Sequence, residues 1–313
     1  MPVFTRVDPP WPLARWRTRQ WLTEVGAADL AFSDDETQAF FARHARKPLS
    51  ADLVDRLQRR TEGWVGGLQL VQLSLIRAED PAQFVRGFSG SDRLIVDFLM
   101  DEVIEREPPP VLDFFAVTAL LDRFCAPLCD TLLGSTRGSQ PSRPLLEHLE
   151  RENLFLVPLD DEQVWFRYHQ LFKELVSSHL KVRLSPEREA RLHRLAGEWF
   201  AGKALIEEAL HHGLRAIQVV PKDHLYAYGS AVTYAAGAHA TAGQWDKAFS
   251  LLADAISEDL AGGSRNAGRL LVAQAVLYSY AGDLSGVERS AKRIHYRVPL
   301  LRVECVCLGD DDR

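Results

Sequence analysis

Residues 145–176 read LLEHLERENLFLVPLDDEQVWFRYHQLFKELV, and their order decides the fold of the middle of the chain. Two short apolar runs, LFLVPL and VWFRYH, are joined by Asp160, Asp161 and Glu162, the pattern of a small β-hairpin. The helical segment PLLEHLERE, from Pro144, precedes them and closes a series of three. The first two are VLDFFAVTALL from Val111 and PLCDTLL from Pro127. Three helices followed by a hairpin make a winged-helix domain, placed at residues 108–182 with a further helix after the wing. The segment from Gly134 to Pro144, rich in Gly, Ser, Arg and Pro, is expected to be a mobile loop between the second and third helices.

Toward the amino terminus, Pro108, Pro109 and Pro110 stop the amphipathic helix LIVDFLMDEVIERE. Before it, Gly87 to Ser91 reads as a loop. WVGGLQLVQLSLI, from Trp64 to Ile76, is apolar on nearly every side and too long and Leu-rich for a strand, so a buried helix is expected. Gly63 breaks it from a helix that starts at Ser50 and uses Leu53, Val54 and Leu57. Ser33 and Glu36 form a capping box that opens a helix carrying Phe40 and Phe41. Residues 31–107 are therefore helical. Ahead of them, VFTRVDPPWP resembles the end of a strand and its exit loop, because prolines at 9, 10 and 12 exclude regular structure.

Toward the carboxy terminus, Ser185, Pro186 and Glu187 mark a new helix, with a polar cap, a proline at the first helical position and an early acid. It is expected to bury Leu192, Leu195, Trp199 and Phe200. EEALHHGL reads as a helix end, with His211 and His212 beside the last carbonyls before Gly213. Ala242-Gly243-Gln244-Trp245 and Ala281-Gly282-Asp283-Leu284 stand at matching positions between Ala-rich helices, which is the grammar of tetratricopeptide-like repeats over residues 183–294. The tail at 295–313 turns strand-like and then acidic, as expected of a truncation or altered reading frame, with a frayed apolar tail as the alternative. The fold class is thus mainly α: a helical region, a winged-helix domain with a small β-hairpin, then a helical-repeat arm.

The 313 residues carry a net charge of −6, so no global basic field draws the chain to nucleic acid or an anionic membrane. No apolar run reaches the roughly 18–20 residues of a membrane span, and no secretory signal opens the sequence. The four cysteines, Cys125, Cys129, Cys305 and Cys307, fit a reducing compartment, which makes the cytoplasm the expected location. Cys125 and Cys129 have a spacing that could hold a metal, but no second ligand pair follows, and small thiols filling a core is the preferred reading.

The motifs RTEGWVGGLQL, FLMDEVIEREPPPV, LLDRFCAPLCDTLL and LLEHLERENLFLVPLDDEQVWFRYHQLFKELV, in that order, resemble the central region of the MalT-type, LuxR-family ATP-dependent transcriptional regulators, a branch of the STAND signal-transduction ATPases. The resemblance covers roughly residues 3–215. It implies that residues 1–30 are the remnant of a nucleotide-binding domain and that 31–107 form a helical lid. It also implies that the arm senses a small-molecule or protein inducer, with ATP or ADP and Mg as the family's ligands. Arg6 would match an arginine at the end of a late strand of the nucleotide-binding core, and His169 a winged-helix histidine facing bound nucleotide; read without the resemblance, Arg6 is a surface arginine at a strand end and His169 a cap of the helix after the wing. GGLQL resembles an adenine-facing turn in which Gln69 replaces the usual proline. No GxxxxGK[ST] loop and no DNA-binding helices follow the family pattern here, so this chain alone is expected to be no enzyme and to need no cofactor of its own. Its expected partners are the missing nucleotide-binding domain, the inducer, and other copies of itself.

A winged helix can read DNA with its third helix, but PLLEHLERE sets Glu147, Glu150 and Glu152 against Arg151, which favours a domain facing protein. An enzyme built on His211, His212 or Cys125 has no supporting motif. The remaining alternative is a free-standing helical-repeat scaffold that binds a protein or peptide, in which residues 1–30, including DPPWP, pack as a cap.

Overall fold

The computed structural model describes residues 3, 5, 9–134, 142–220, 222, 224–261 and 267–297. Arg6, residues 135–141 of the expected mobile loop, Cys305, Cys307 and the tail from residue 298 lie outside the described residues. The chain divides into two compact units, Met1–Leu184 and Ser185–Arg313.

The first unit begins with α1 (Leu13–Thr18) and α2 (Ala27–Leu30), short helices where the prolines suggested only an exit loop. Pro12 explains the first: it stands at the amino-terminal cap of α1, where its missing N–H costs nothing. Then come α3 (Asp34–His44), α4 (Ala51–Thr61), α5 (Val65–Arg77), α6 (Pro81–Gly87) and α7 (Arg93–Glu102), the last followed by a 3-10 turn at Ile104–Arg106. The capping box is present at α3: the Glu36 N–H donates to Ser33 Oγ, and the Ser33 N–H donates to Glu36 Oε2 at 2.9 Å. Helix α5 departs from expectation because only one face is buried, through Gly67, Leu68, Val71 and Leu75. Leu73 and Ile76 are exposed on another face.

The winged helix follows as α8 (Pro109–Thr118), α9 (Ala126–Leu133), α10 (Ser142–Arg151), β1 (Leu156–Pro158), β2 (Phe166–Tyr168) and α11 (Gln170–His179). The strands are antiparallel, with Val157 opposite Arg167. Asp160 closes the wing by accepting from the N–H groups of Val164 and Trp165. Phe124 adds a bridge to Phe166 that has no sequence signal. The domain is aromatic inside: Phe115, Tyr168 and Phe172 meet edge to face, and Phe155 stacks on Phe172 at 5.3 Å. Each fully buried ring contributes about 1.5–3 kcal/mol. The buried Tyr168 hydroxyl is satisfied by Thr118 Oγ1 at 2.7 Å. Cys125 and Cys129 are buried, as a core-filling role requires, and burial pushes the Cys129 thiol well up, keeping it protonated.

The second unit contains α12 (Pro186–Gly202), α13 (Ile206–Val219), α14 (Leu225–Thr241), α15 (Trp245–Ala261), α16 (Ala267–Tyr280) and α17 (Leu284–Arg297). These are three helical hairpins. Their turns place Ala204, Gly243 and Gly282 at positive φ, 39 residues apart in both steps. The first hairpin is hidden in the sequence because alanine occupies its glycine position. Helix α17 runs to Arg297, past the expected start of an irregular tail at residue 295.

Alanines make the hairpin interfaces, with Val232, Ala236, Ala240, Ala248, Leu252 and Leu270 in one core cluster. In α12, Leu192 and Phe200 are buried as expected, whereas Leu195 and Trp199 are half-buried. EEALHHGL is not a helix end, because α13 continues through it. Gly213 serves close packing, since a Cβ there would lie 3.2 Å from Ala235 Cα. His212 is buried, stacked on Phe200 and hydrogen-bonded Nδ1 to Nδ1 with His193 at 2.8 Å.

The equivalent turns generate a reciprocal prediction. Ala204→Gly removes a side chain from the left-handed region and should raise the stability of this unit by about 1 kcal/mol, whereas Gly243→Ala should lower it by about the same. Urea unfolding midpoints of the two variants check this.

Candidate functional site at the joint of α4 and α11

Two motifs far apart in sequence, RTEG at 60–63 and RYHQ at 167–170, meet in the first unit. Helix α4 ends because Glu62 (φ 50°) and Gly63 (φ 74°) both turn left-handed. Gly63 is required there: a Cβ would lie 2.4 Å from the carbonyl oxygen of Phe32. A helix end leaves its last carbonyls without intrahelical partners. Thr61 O finds two partners outside the helix, the Trp64 N–H and His169 Nε2, each 2.8 Å away. A carbonyl only accepts, so Nε2 carries the proton and Nδ1 has a free lone pair. Nδ1 accepts the Leu171 N–H at 3.3 Å, making His169 the cap of α11.

His169 is 8% exposed, with Trp64 and Phe155 edge-on to its ring at 6.0 and 5.8 Å. Burial depresses its pKa, only partly offset by Glu62 and the Thr61 carbonyl, so the ring is held neutral.

Charged contacts flank this bond. Glu62 grips the Arg167 guanidinium with both oxygens, at 2.9 and 2.7 Å, and its Oε1 also accepts the Gln170 N–H at 2.9 Å. Burial opposes ionisation of Glu62, but the bonds from Arg167 and Gln170 outweigh it and hold the carboxyl below the usual range. On the next turn of α11, Glu174 pairs with Arg60 and accepts the Gly90 N–H at 2.6 Å. Gly90 must be glycine, since a Cβ would lie 2.3 Å from the Leu171 carbonyl oxygen.

Of the residues singled out in the sequence, His169 is central here. Gln69 is exposed on α5, and GGLQL is helical rather than a turn. Gly66 and Gly67 lie against the Trp64 ring, where a Cβ at residue 67 would approach Trp64 Cε3 to 2.6 Å. Sequence reasoning missed Glu62, Arg167, Arg60 and Glu174, which are ordinary surface charges until α4 and α11 are brought together. It also passed over GEWFAGKA at 197–204, which meets every position of a phosphate-binding loop except the final Ser or Thr. Residues 197–202 lie in α12, so their amides are spent on the helix, and Gly197 packs against Tyr234.

Helix α10 begins at Ser142 and so includes Arg143, which pairs with Glu147 at 2.9 Å. The acidic face is thus partly balanced, but Glu150 and Glu152 still oppose a phosphate backbone. Among the described residues no helix is long and apolar enough to cross a membrane, and no group of His, Cys, Asp and Glu is arranged to hold a metal.

The depressed pKa of His169 makes stability pH-dependent. The unfolded state takes up a proton near the ordinary histidine value of 6.5, while the folded state resists it. The contribution is complete above that value and is lost as pH falls from 6.5 toward the depressed pKa, with a slope of up to about 1.4 kcal/mol per pH unit. His169→Ala should flatten this part of the stability curve of the first unit, read by urea titrations between pH 7 and pH 5.

Comparison with known proteins agrees with the geometry. The family model described as the MalT winged helix domain matches residues 100–189. Over 218 residues, 68% of this chain, the sequence is 34% identical to the serine/threonine-protein kinase PknK of Mycobacterium tuberculosis, covering 19% of that protein. Over 216 residues, again 68% of this chain, it is 33% identical to the HTH-type transcriptional regulator MalT of Klebsiella pneumoniae, covering 23% of it. The chain therefore spans about a fifth of the length of the curated relatives it matches. Among solved structures, a signal-transduction ATPase with numerous domains (STAND) and a tetratricopeptide repeat sensor from Pyrococcus horikoshii aligns over 86% of this chain and 42% of its own. The identity is 16% and the TM-score 0.30, too low to support an inference. The chain carries a MalT winged helix domain at residues 100–189, within a longer stretch that is similar to MalT-type regulators.

Proposed function

We propose that this chain is the regulatory middle of an ATP-responsive, inducer-sensing bacterial transcriptional regulator of the LuxR type, working in the cytoplasm. The observation that carries the reading is the joint of α4 and α11, which ties a helical region to a MalT winged helix through a neutral, buried histidine. The similarity to two proteins with different outputs supports it. One relative is called a kinase and the other a transcriptional regulator, and this chain matches each over about a fifth of its length. A segment common to both is suited to control of an output rather than to the output itself.

In this reading nucleotide is held by a separate nucleotide-binding domain, and Arg6, Gln69 and His169 contribute contacts only when that domain is joined. ATP or ADP with Mg is that domain's ligand, and the present chain does no chemistry. The helical hairpins of the second unit receive the inducer, and the assembled protein self-associates. The winged helix faces protein, given the acids of α10.

The free-standing scaffold remains the second reading, because the three hairpins form a repeat array with its own core. Residues 9–30 discriminate. Trp21 is 68% exposed and α1 buries no residue, which favours a segment awaiting a partner over a packed cap.

The purified 313-residue chain should show no ATP turnover above buffer and no retardation of duplex DNA in gel-shift assays at physiological salt. Steady turnover, abolished by Lys203→Ala, would instead assign GEWFAGKA a phosphate-binding role and overturn the reading.

A further inference from the structure

The bonds that hold His169 also withhold it. Both ring nitrogens are engaged within the chain, Nε2 with Thr61 O at 2.8 Å and Nδ1 with the Leu171 N–H at 3.3 Å. Trp64 and Phe155 cover the ring. Any ligand that uses Nε2 must first part it from the end of α4.

We propose that Glu62 and Arg167 form a charge latch that keeps the end of α4 closed on α11 and so keeps His169 unavailable until the latch is released. The proposal rests on the reading of His169 as a ligand-facing residue, and adds what regulates it.

Three features make this contact a switch rather than ordinary packing. The first is its position: Glu62 immediately follows Thr61, and Arg167 and Gln170 bracket His169, so the clamp and the histidine bond open or close as one unit. The second is its chemistry. The fork of Arg167 and the Gln170 N–H at the start of α11 are gathered on one carboxylate, so loss of the Glu62 charge weakens three bonds together. The third is its exposure. The Glu62 and Arg167 side chains are 24% and 34% exposed, so solvent can replace their contacts without unfolding the core beneath. Glu62 also sits in the left-handed region, a conformation that a non-glycine residue keeps only when its surroundings hold it.

The charged groups acting on His169 are Glu62 from the end of α4, Arg167 from β2, and Glu174 from α11, the last of them paired with Arg60. The Arg60–Glu174 pair, with Gly90, anchors the following turn of α11 through contacts that do not use Glu62 or Arg167, although the Gln170 side chain touches Glu174 as well. That second anchor lets the Glu62 latch open while the two segments stay joined.

The test uses the whole 313-residue chain without nucleotide. Amide exchange is followed at Gln170 and Leu171, and His169 is titrated through its ring proton resonances. In Glu62→Gln, which keeps shape and removes charge, exchange at both amides should accelerate roughly five- to tenfold while that of Phe115 and Val176, in the interiors of α8 and α11, stays unchanged. The His169 pKa should move up toward 6.5 as solvent reaches the ring; a fall, which loss of the Glu62 charge alone would cause in a joint that stays closed, would count against the latch. Glu62→Arg should open the latch further, and Glu62→Arg with Arg167→Glu should restore slow exchange at Leu171 but not at Gln170, whose N–H an arginine at position 62 cannot accept. Should Glu62→Gln fail to fold, Arg167→Lys, which keeps the charge but loses the fork, takes its place with the same expectation. Unchanged exchange and an unchanged His169 titration in the folded variant, or no recovery in the charge swap, would overturn the latch. The reading of His169 as a nucleotide contact fails separately, if His169→Ala leaves nucleotide affinity unaltered when this chain is joined to a nucleotide-binding domain.

Discussion

The bond from His169 Nε2 to the Thr61 carbonyl organises the first unit. A helix end needs partners for its last carbonyls, a helix start needs acceptors for its first amides, and one imidazole supplies both at once. Its neutrality is essential to that double role, because a protonated ring has two donors and no acceptor for the Leu171 N–H. Burial supplies the neutrality. Glu62, Gly63 and Gly90 follow from the same demand: two glycines where backbone approaches backbone, and a carboxylate where Arg167 and an exposed helix amide would otherwise go unmatched.

The second unit obeys a different constraint. Its hairpins approach closely because alanine and glycine line the crossings, and its turns repeat every 39 residues because each needs one residue at positive φ. The His193–His212 pair and its stack on Phe200 fix α12 against α13 with polar geometry that bulk apolar packing would not specify.

What was legible in the sequence follows the range of the interactions. Ser33 with Glu36, and Ser185 before Pro186, announced helix starts because a cap is satisfied within four residues. The wing was legible because two apolar runs flank a short acidic turn. The end of α4 was legible from Gly63. By contrast α13 passes through His211, His212 and Gly213 because Tyr234 and Ala235 from another helix use the missing Cβ, and no local rule contains that fact. Ala204 concealed the first hairpin by adopting a glycine conformation. Of the candidate site, His169 was legible as a cap of the helix after the wing, which it is, and only its nucleotide-facing role came from resemblance. Its clamp was not legible, since Glu62 and Arg167 are 105 residues apart and each is unremarkable by itself.

The most direct test of the account is deuterium uptake, followed by mass spectrometry, with this chain joined to a nucleotide-binding domain and loaded with ADP or with a non-hydrolysable ATP analogue. If the α4–α11 joint responds to nucleotide, peptides covering residues 60–64 and 167–174 should change uptake between the two states, while the aromatic core around Phe115 and Phe124 does not. Equal uptake at the joint in both states, with binding of both nucleotides verified, would contradict the account.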